Sequence, residues 1–402
     1  MFKYTEKKFA KDVGRVAATI DPSLSYEYLP ASREVKLTSN KDDAGKPINI
    51  FLGNIFLKVS ALPKRERIPT IRAFLTEVLT PKKLSPDELM GSLALRVRTD
   101  FEIDYRNRHL VFMGHEAPPS IVVRRGDVLV EIVADREESV SIARSDDLAE
   151  IGVDADQAFR MAAAKIRRST DNHQWEQVDD AIWMSRYQDD YDFARLIAAE
   201  DSGKFPFDGA PIVFAPSHSI CLATSSTDVD VLHRMVDLGS DHAANHRPFC
   251  QLLWTIDEGA AWQAWTPTPN TDAYAVAQTQ ALRETMHQYA ESKDYLEKSL
   301  GEEDVFVATF QAIQNDEGLA SYSVYTLDVP SYLPLADFVV IFDPELPEDE
   351  AVVGRIDWDE FAKIVGAEFL EPIDGLIPAW YRILQPLDAS QKTLARQSAR
   401  PL

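Results

Sequence analysis

Apolar and polar positions change period several times along this chain, and each change marks an element. Phe9, Val13 and Val16 recur at helical spacing over residues 5–19. Glu34 to Leu37 and Ile48 to Leu52 read as strands, with a polar turn at 39–45 between them. A helix starts at about Asn54, and Ile71, Phe74, Leu75 and Val78 place a second one over Ile68 to Leu79. The basic run Lys64, Arg65 and Arg67 falls between these helices and is expected to be a solvated loop. Pro81 ends the second helix.

Past Pro118-Pro119 the pattern is strand, strand, helix, helix, strand, strand, helix, strand. Val128–Val133 and Val140–Ala143 are the first strands, and Ser145-Asp-Asp-Leu148 is an acidic helix start. Over 154–168 the residues Phe159, Ala162, Ala163 and Ile166 share the inward face of a helix. Its acids lie at the positive end (Asp154, Asp156) and its bases at the negative end (Lys165, Arg167, Arg168), as the helix dipole favours. A helix over 192–200 precedes two apolar strands joined at Pro216-Ser-His-Ser219, and Leu252, Trp254 and Ile256 mark a core strand. After the Pro/Thr/Asn-rich segment 264–272 come a helix over 273–299, strands over 304–313, 321–327 and 338–342, and a helix near 357–366.

The fold class expected from these elements is α+β, in several units of mixed sheets packed with helices. The two seams divide the chain into an N-terminal unit over 1–115, a middle unit over 116–265 and a C-terminal unit over 273–385. Residues 386–402 read as a frayed tail.

Composition adds compartment and charge. With 45% hydrophobic and 27% charged residues the chain has the make-up of an ordinary folded protein. Its apolar stretches are shorter than the roughly 18 residues that span a bilayer, and its opening residues carry no secretory pattern. The expectation is a cytoplasmic protein without membrane contact. Cys221 and Cys250 each sit in an apolar run and are expected as buried free thiols. The net charge of −23 divides into +7 over residues 1–83 and −30 over the remainder. An acidic body repels nucleic acid, leaving only weak contact through the N-terminal unit, and steers basic partners toward itself.

Candidate chemistry is sparse. Asp189, Asp190 and Asp192 form the densest carboxylate cluster beside an apolar strand, and His218 lies in the strand connection that follows. Such groups could serve acid–base hydrolysis, although consecutive aspartates on irregular backbone commonly cap helices and turns. No Gly-x-Ser-x-Gly elbow surrounds Ser217 or Ser219. His242 and His246 are four apart, with Cys250 four further on. That set could ligate zinc, but Pro248 interrupts the helix and no metal is expected. Glycine-rich phosphate loops are missing, so no cofactor is expected.

The order of elements over residues 120–226 resembles the YtpQ-like family, a bacterial group of unknown function. Val128–Ala134 with Val140–Gly152, the helix Ala155–Arg168, and Asp190-Tyr-Asp-Phe-Ala-Arg-Leu196 leading to Ala210–Ala223 carry the resemblance. Where members of that family end a strand in Pro-Ala-Arg-Asp, this chain has Pro216-Ser-His-Ser219. The resemblance implies a scaffold and brings neither an activity nor a cofactor. The reading that follows is a protein-binding module, immunity-like or adaptor, that meets a basic protein partner through its acidic surface. Its rival is a hydrolase-type enzyme built on Asp189, Asp190, Asp192 and His218 around residues 187–223.

Overall fold

The computed structural model describes every residue except 1–3, 31–32, 41–46, 81–82, 113, 115, 137–139, 170–173, 188, 199–204, 244–247, 258, 260, 302, 316–317 and 402. It is an α+β protein with mixed and antiparallel sheets.

The first unit packs α1 (Glu6–Ile20), α2 (Gly53–Ala61) and α3 (Lys64–Leu79) on an antiparallel meander of β1 (Leu24–Leu29), β2 (Glu34–Ser39) and β3 (Ile48–Phe51). Phe9, Val13 and Val16 of α1 meet Val35, Leu37, Ile71 and Leu75 in a small core of their own. Thr5 caps α1 by accepting from the Lys8 amide. The basic run expected as a loop is instead the first turn of α3. Pro63 sits at its N-cap, and Arg67 spans the helix junction. Its guanidinium lies 4.3 Å from the Tyr4 ring centroid and donates to the Leu62 and Ser60 carbonyls.

The middle unit begins earlier than the expected seam at 115. After α4 (Pro86–Ser92) the chain forms β4 (Leu93–Arg98), and then α5 (Asp100–Phe112), β5 (Val122–Arg125), β6 (Val128–Asp135) and β7 (Val140–Ile142). β4 pairs antiparallel with β6 from Leu93↔Ala134 to Arg98↔Leu129, so residues 86–112 belong with the middle sheet. The Pro-Pro pair marks only a surface loop within that unit.

Next come α6 (Ser145–Glu150), α7 (Ala155–Ser169), β8 (Trp175–Asp179), β9 (Ile182–Ser185), α8 (Asp192–Ala198), β10 (Ile212–Ser217), β11 (Ile220–Thr224), α9 (Val229–Ala243), β12 (Leu253–Ile256) and β13 (Trp262–Ala264). The last six strands form one antiparallel sheet in the order β13-β12-β10-β11-β9-β8. Every residue of β10 and β11 is buried, since helices cover both faces of the sheet. Val213, Ala215, Cys221, Ala223 and Trp254 face the layer of α7 and α8; Ile212, Phe214, Ile220 and Leu222 face α9. Each of the seven residues of α8 is buried, because this short helix is wedged between β4 and β11. The two sheets also meet at Gly126, whose φ of +70° brings it against Trp262, and the Asp127 amide donates to the Trp262 carbonyl at 2.7 Å. A Cβ at Gly126 would lie 2.0 Å from that carbonyl oxygen, so only glycine fits.

The long helix α10 (Asp272–Leu300) starts on α9 and ends in the third unit. That unit has β14 (Phe306–Val307), β15 (Gln311–Asn315), β16 (Gly318–Thr326), β17 (Ser331–Pro334), β18 (Phe338–Phe342), β19 (Val352–Asp357), α11 (Trp358–Val365), β20 (Glu371–Pro372), β21 (Trp380–Ile383) and α12 (Ala389–Ser398). Its sheets are mixed: β16–β18 and β14–β17 are parallel, and their other pairings are antiparallel. The expected tail contains α12. Asp388 and Gln391 form a capping box at its start, and Ala395 is fully buried against the C-terminal core.

Candidate functional site

The four residues of the hydrolase reading lie in one region, where the turn joining β10 to β11 meets the segment that leads into α8. Asp192 is the first residue of α8 and is fully buried. It accepts a hydrogen bond from the Ser185 hydroxyl and a longer one, 3.3 Å, from the Asp189 amide. Asp189 is held by both terminal nitrogens of Arg195 at 2.5 Å, and that guanidinium also lies 3.9 Å from the Tyr187 ring centroid. Asp190 adopts a left-handed backbone, with φ +67°, and accepts from the Ser219 hydroxyl. Aspartate tolerates that conformation better than most side chains.

His218 points elsewhere. Only 5% exposed, it sits 4.8 Å from the Phe249 ring, with its Nε2 at 3.5 Å from Glu102 Oε1. That separation is at the outer limit of a hydrogen bond, and among the described residues no closer partner takes Nε2. Burial therefore dominates and pushes the imidazole pKa down to about 4.

Glu102 belongs to a deeper network that the sequence pattern did not single out. It accepts from Arg98 at 3.2 Å and from the Thr99 amide at 3.1 Å. Arg98 in turn donates to Glu131 at 3.2 Å, and Arg106 donates to the same carboxylate at 2.6 Å. Glu131 is fully buried in mid-β6. A lone glutamate within the apolar run Val128–Val133 was the available signal, since a buried charge requires a partner.

Each of these carboxylates is thus committed to an arginine, a hydroxyl or a backbone amide. Four clefts of about 140 to 770 Å³ elsewhere in the chain are lined by other residues. Among the described residues the arrangement ties β4, α5, α8 and the β10–β11 turn together, with His218 facing Glu102 instead of the aspartates.

Two members of the zinc set can be placed. His242 is exposed near the end of α9, whereas Cys250 is buried. His246 lies outside the described residues. Among the described residues no three histidine, cysteine or acidic side chains form a metal-holding group. Cys221 and Cys250 are both free and buried, and burial raises both thiol pKa values well above normal. Trp254 and Trp262 are core residues that pack around Phe193.

Compared with protein-family models, curated proteins and solved structures, the chain matches none.

A more open site lies where α10 crosses the C-terminal sheet. Here a cleft of about 560 Å³ has Leu282, Phe310, Leu335 and Trp358 among its apolar lining. Asp337, Asp357 and Asp359 also line it. Asp337 is anchored by the Ser321 amide at 2.6 Å and hydroxyl at 2.7 Å. Asp357 faces Arg400 at 3.4 Å in a pair exposed on both sides, and Asp359 is exposed in the first turn of α11. Leu335 remains 40% exposed at the rim. Around this cleft, residues 273–385 carry 22 acidic and 6 basic side chains, a net −16. No helix among the described residues is long and apolar enough to cross a membrane.

Proposed function

We propose that this chain is a cytoplasmic protein-binding module, immunity-like or adaptor, whose acidic C-terminal cleft receives a basic, partly apolar segment of a protein partner. The observation that carries the reading is the cleft between α10 and α11. It sets three aspartates beside the apolar side chains of Leu282, Phe310, Leu335 and Trp358, inside a unit of net charge −16. Interfaces draw their energy from apolar anchors in such depressions, and charge supplies register and encounter rate. Covering the exposed part of Leu335 is worth about 1 kcal/mol. A lysine or arginine beside Asp359 adds at most about 1 kcal/mol in an exposed pair. Two or three such contacts suit a reversible complex. The hydrolase reading has less support: Asp189 is held by Arg195, Asp190 by Ser219 and Asp192 by Ser185, while His218 is buried and faces Glu102 instead of these aspartates. The resemblance to the YtpQ-like family supports the scaffold and adds no activity.

The test is fluorescence anisotropy with a labelled peptide that alternates Lys or Arg with Leu. Expected are saturable binding at low salt, weakening as ionic strength rises, and at least about tenfold loss in a chain carrying Asp357→Asn and Asp359→Lys. Neither side chain is buried in the core, so circular dichroism of the variant should match the parent. Equal binding by parent and variant, or no binding at low salt, overturns the reading.

A further inference from the structure

A cleft of about 770 Å³ has the opposite character to the acidic one. It runs along the outward face of α7, with Arg160, Lys165 and Arg168 lining it and no acidic residue in its lining. Met90 and Met161 supply an apolar surface between the charges.

These residues share a face because positions 157, 160, 161, 164, 165 and 168 follow the helical repeat. Arg160 and Arg168 are two turns apart, a rise of about 12 Å. Lys165 reaches across to the Gly91 carbonyl at 2.8 Å, which ties α7 to the end of α4 and fixes one wall of the groove. Arg160 and Arg168 are exposed and make no ion pair among the described residues. The nearby Glu150 is spoken for by Lys83 at 2.7 Å.

In a chain of net charge −23, a groove with three bases and no acid is a local exception. Charges more than about 10 Å away are largely screened at 0.1 M salt, so a ligand in the groove feels these bases more than the distant acidic surface. Guanidinium groups pair with carboxylates in a two-toothed fashion, and methionines adapt to varied apolar side chains. The spacing along two helical turns suits an elongated ligand rather than a single small anion.

We infer that this groove is a second docking site, which takes an acidic amphipathic peptide segment of a partner protein. Carboxylates of that segment meet Arg160 and Arg168, and its apolar side chains lie on Met90 and Met161. With the acidic cleft for a basic segment, the chain then has two docking sites of opposite charge preference on different units, as an adaptor requires. The groove stands on its own observations and does not depend on the cleft being a docking site.

The full chain is titrated into a fluorescein-labelled peptide with Glu pairs flanking Leu and Met at helical spacing. Binding at 50 mM salt that falls by at least about tenfold in Arg160→Glu/Arg168→Glu is the expected result. The same variant should bind the basic peptide of the cleft experiment as the parent does, which separates the two sites. Met161→Ala should weaken the acidic peptide by a few-fold, showing that apolar contact contributes. Inorganic phosphate and citrate serve as competitors; displacement at micromolar levels would make the groove a small-anion site and overturn the peptide assignment. Failure of the acidic peptide to bind, or unchanged binding by the double variant, also overturns it.

Discussion

His218 gives the middle unit a stability that depends on pH, and its size follows from its surroundings. The imidazole is 5% exposed, packed on Phe249, and titrates near 4 because burial disfavours its charged form. An unfolded histidine titrates near 6.5. The native state therefore resists protonation by about 3 kcal/mol. Well above pH 6.5 the imidazole is neutral in both states and the contribution is fully present. As the pH falls through 6.5 the unfolded chain takes up the proton first, and stability drops. The loss reaches about 2 kcal/mol at pH 5 and levels off at about 3 kcal/mol below pH 4, where both states are protonated.

His218→Phe keeps a ring against Phe249 and cannot titrate. Urea denaturation of parent and variant at pH 8, 6.5 and 5, followed by tryptophan fluorescence, isolates the effect. Trp175, Trp183, Trp254, Trp262 and Trp265, five of the seven tryptophans, lie in the middle unit and report on it. The fixed cost of the substitution cancels in the difference between pH values. The parent should lose about 2 kcal/mol more than the variant between pH 8 and 5. Parallel losses would refute the burial argument.

Two further outcomes follow from the middle core. Glu131→Ala strips Arg98 and Arg106 of their shared carboxylate and should cost about 3–5 kcal/mol in urea denaturation; adding Arg98→Met and Arg106→Met should restore much of it, and a loss below about 1 kcal/mol would show that the network is dispensable. Cys221 and Cys250, buried with raised thiol pKa values, should resist a thiol-specific disulfide reagent in the native chain and react after denaturation; rapid native labelling of both would contradict the packing.

The elements most readily read from the chain were those with a single strong period. The helix expected over 154–168 is α7, and Phe159, Ala162, Ala163 and Ile166 face inward as the spacing requires. The uncharged runs around 212–224 are strands buried on both faces, which is why no alternation shows in them. The β8–β9 hairpin escaped notice because β8 mixes tryptophan and valine with exposed charges and alternates weakly. α12 was missed because only a narrow face of it, centred on Ala395, meets the core.

The candidate site was half legible. Clustered aspartates mark the segment around 189–192, yet nothing local says that one would pair with Arg195, another with Ser219 and a third with Ser185. His218 found Glu102, which lies more than a hundred residues earlier.

Periodicity, capping and charge balance are local or additive properties, so the sequence alone determined the helices and strands it spelled clearly, the α+β class and the acidic character. The assignment of β4 to the middle sheet, the burial of Glu131 with two arginines, and the separation of an acidic cleft from a basic groove came only with tertiary structure. Loop closure costs grow slowly with chain length. Many distant pairings are therefore open to an unfolded chain, and the native one is selected by which apolar faces pack together and which buried charges find partners in doing so.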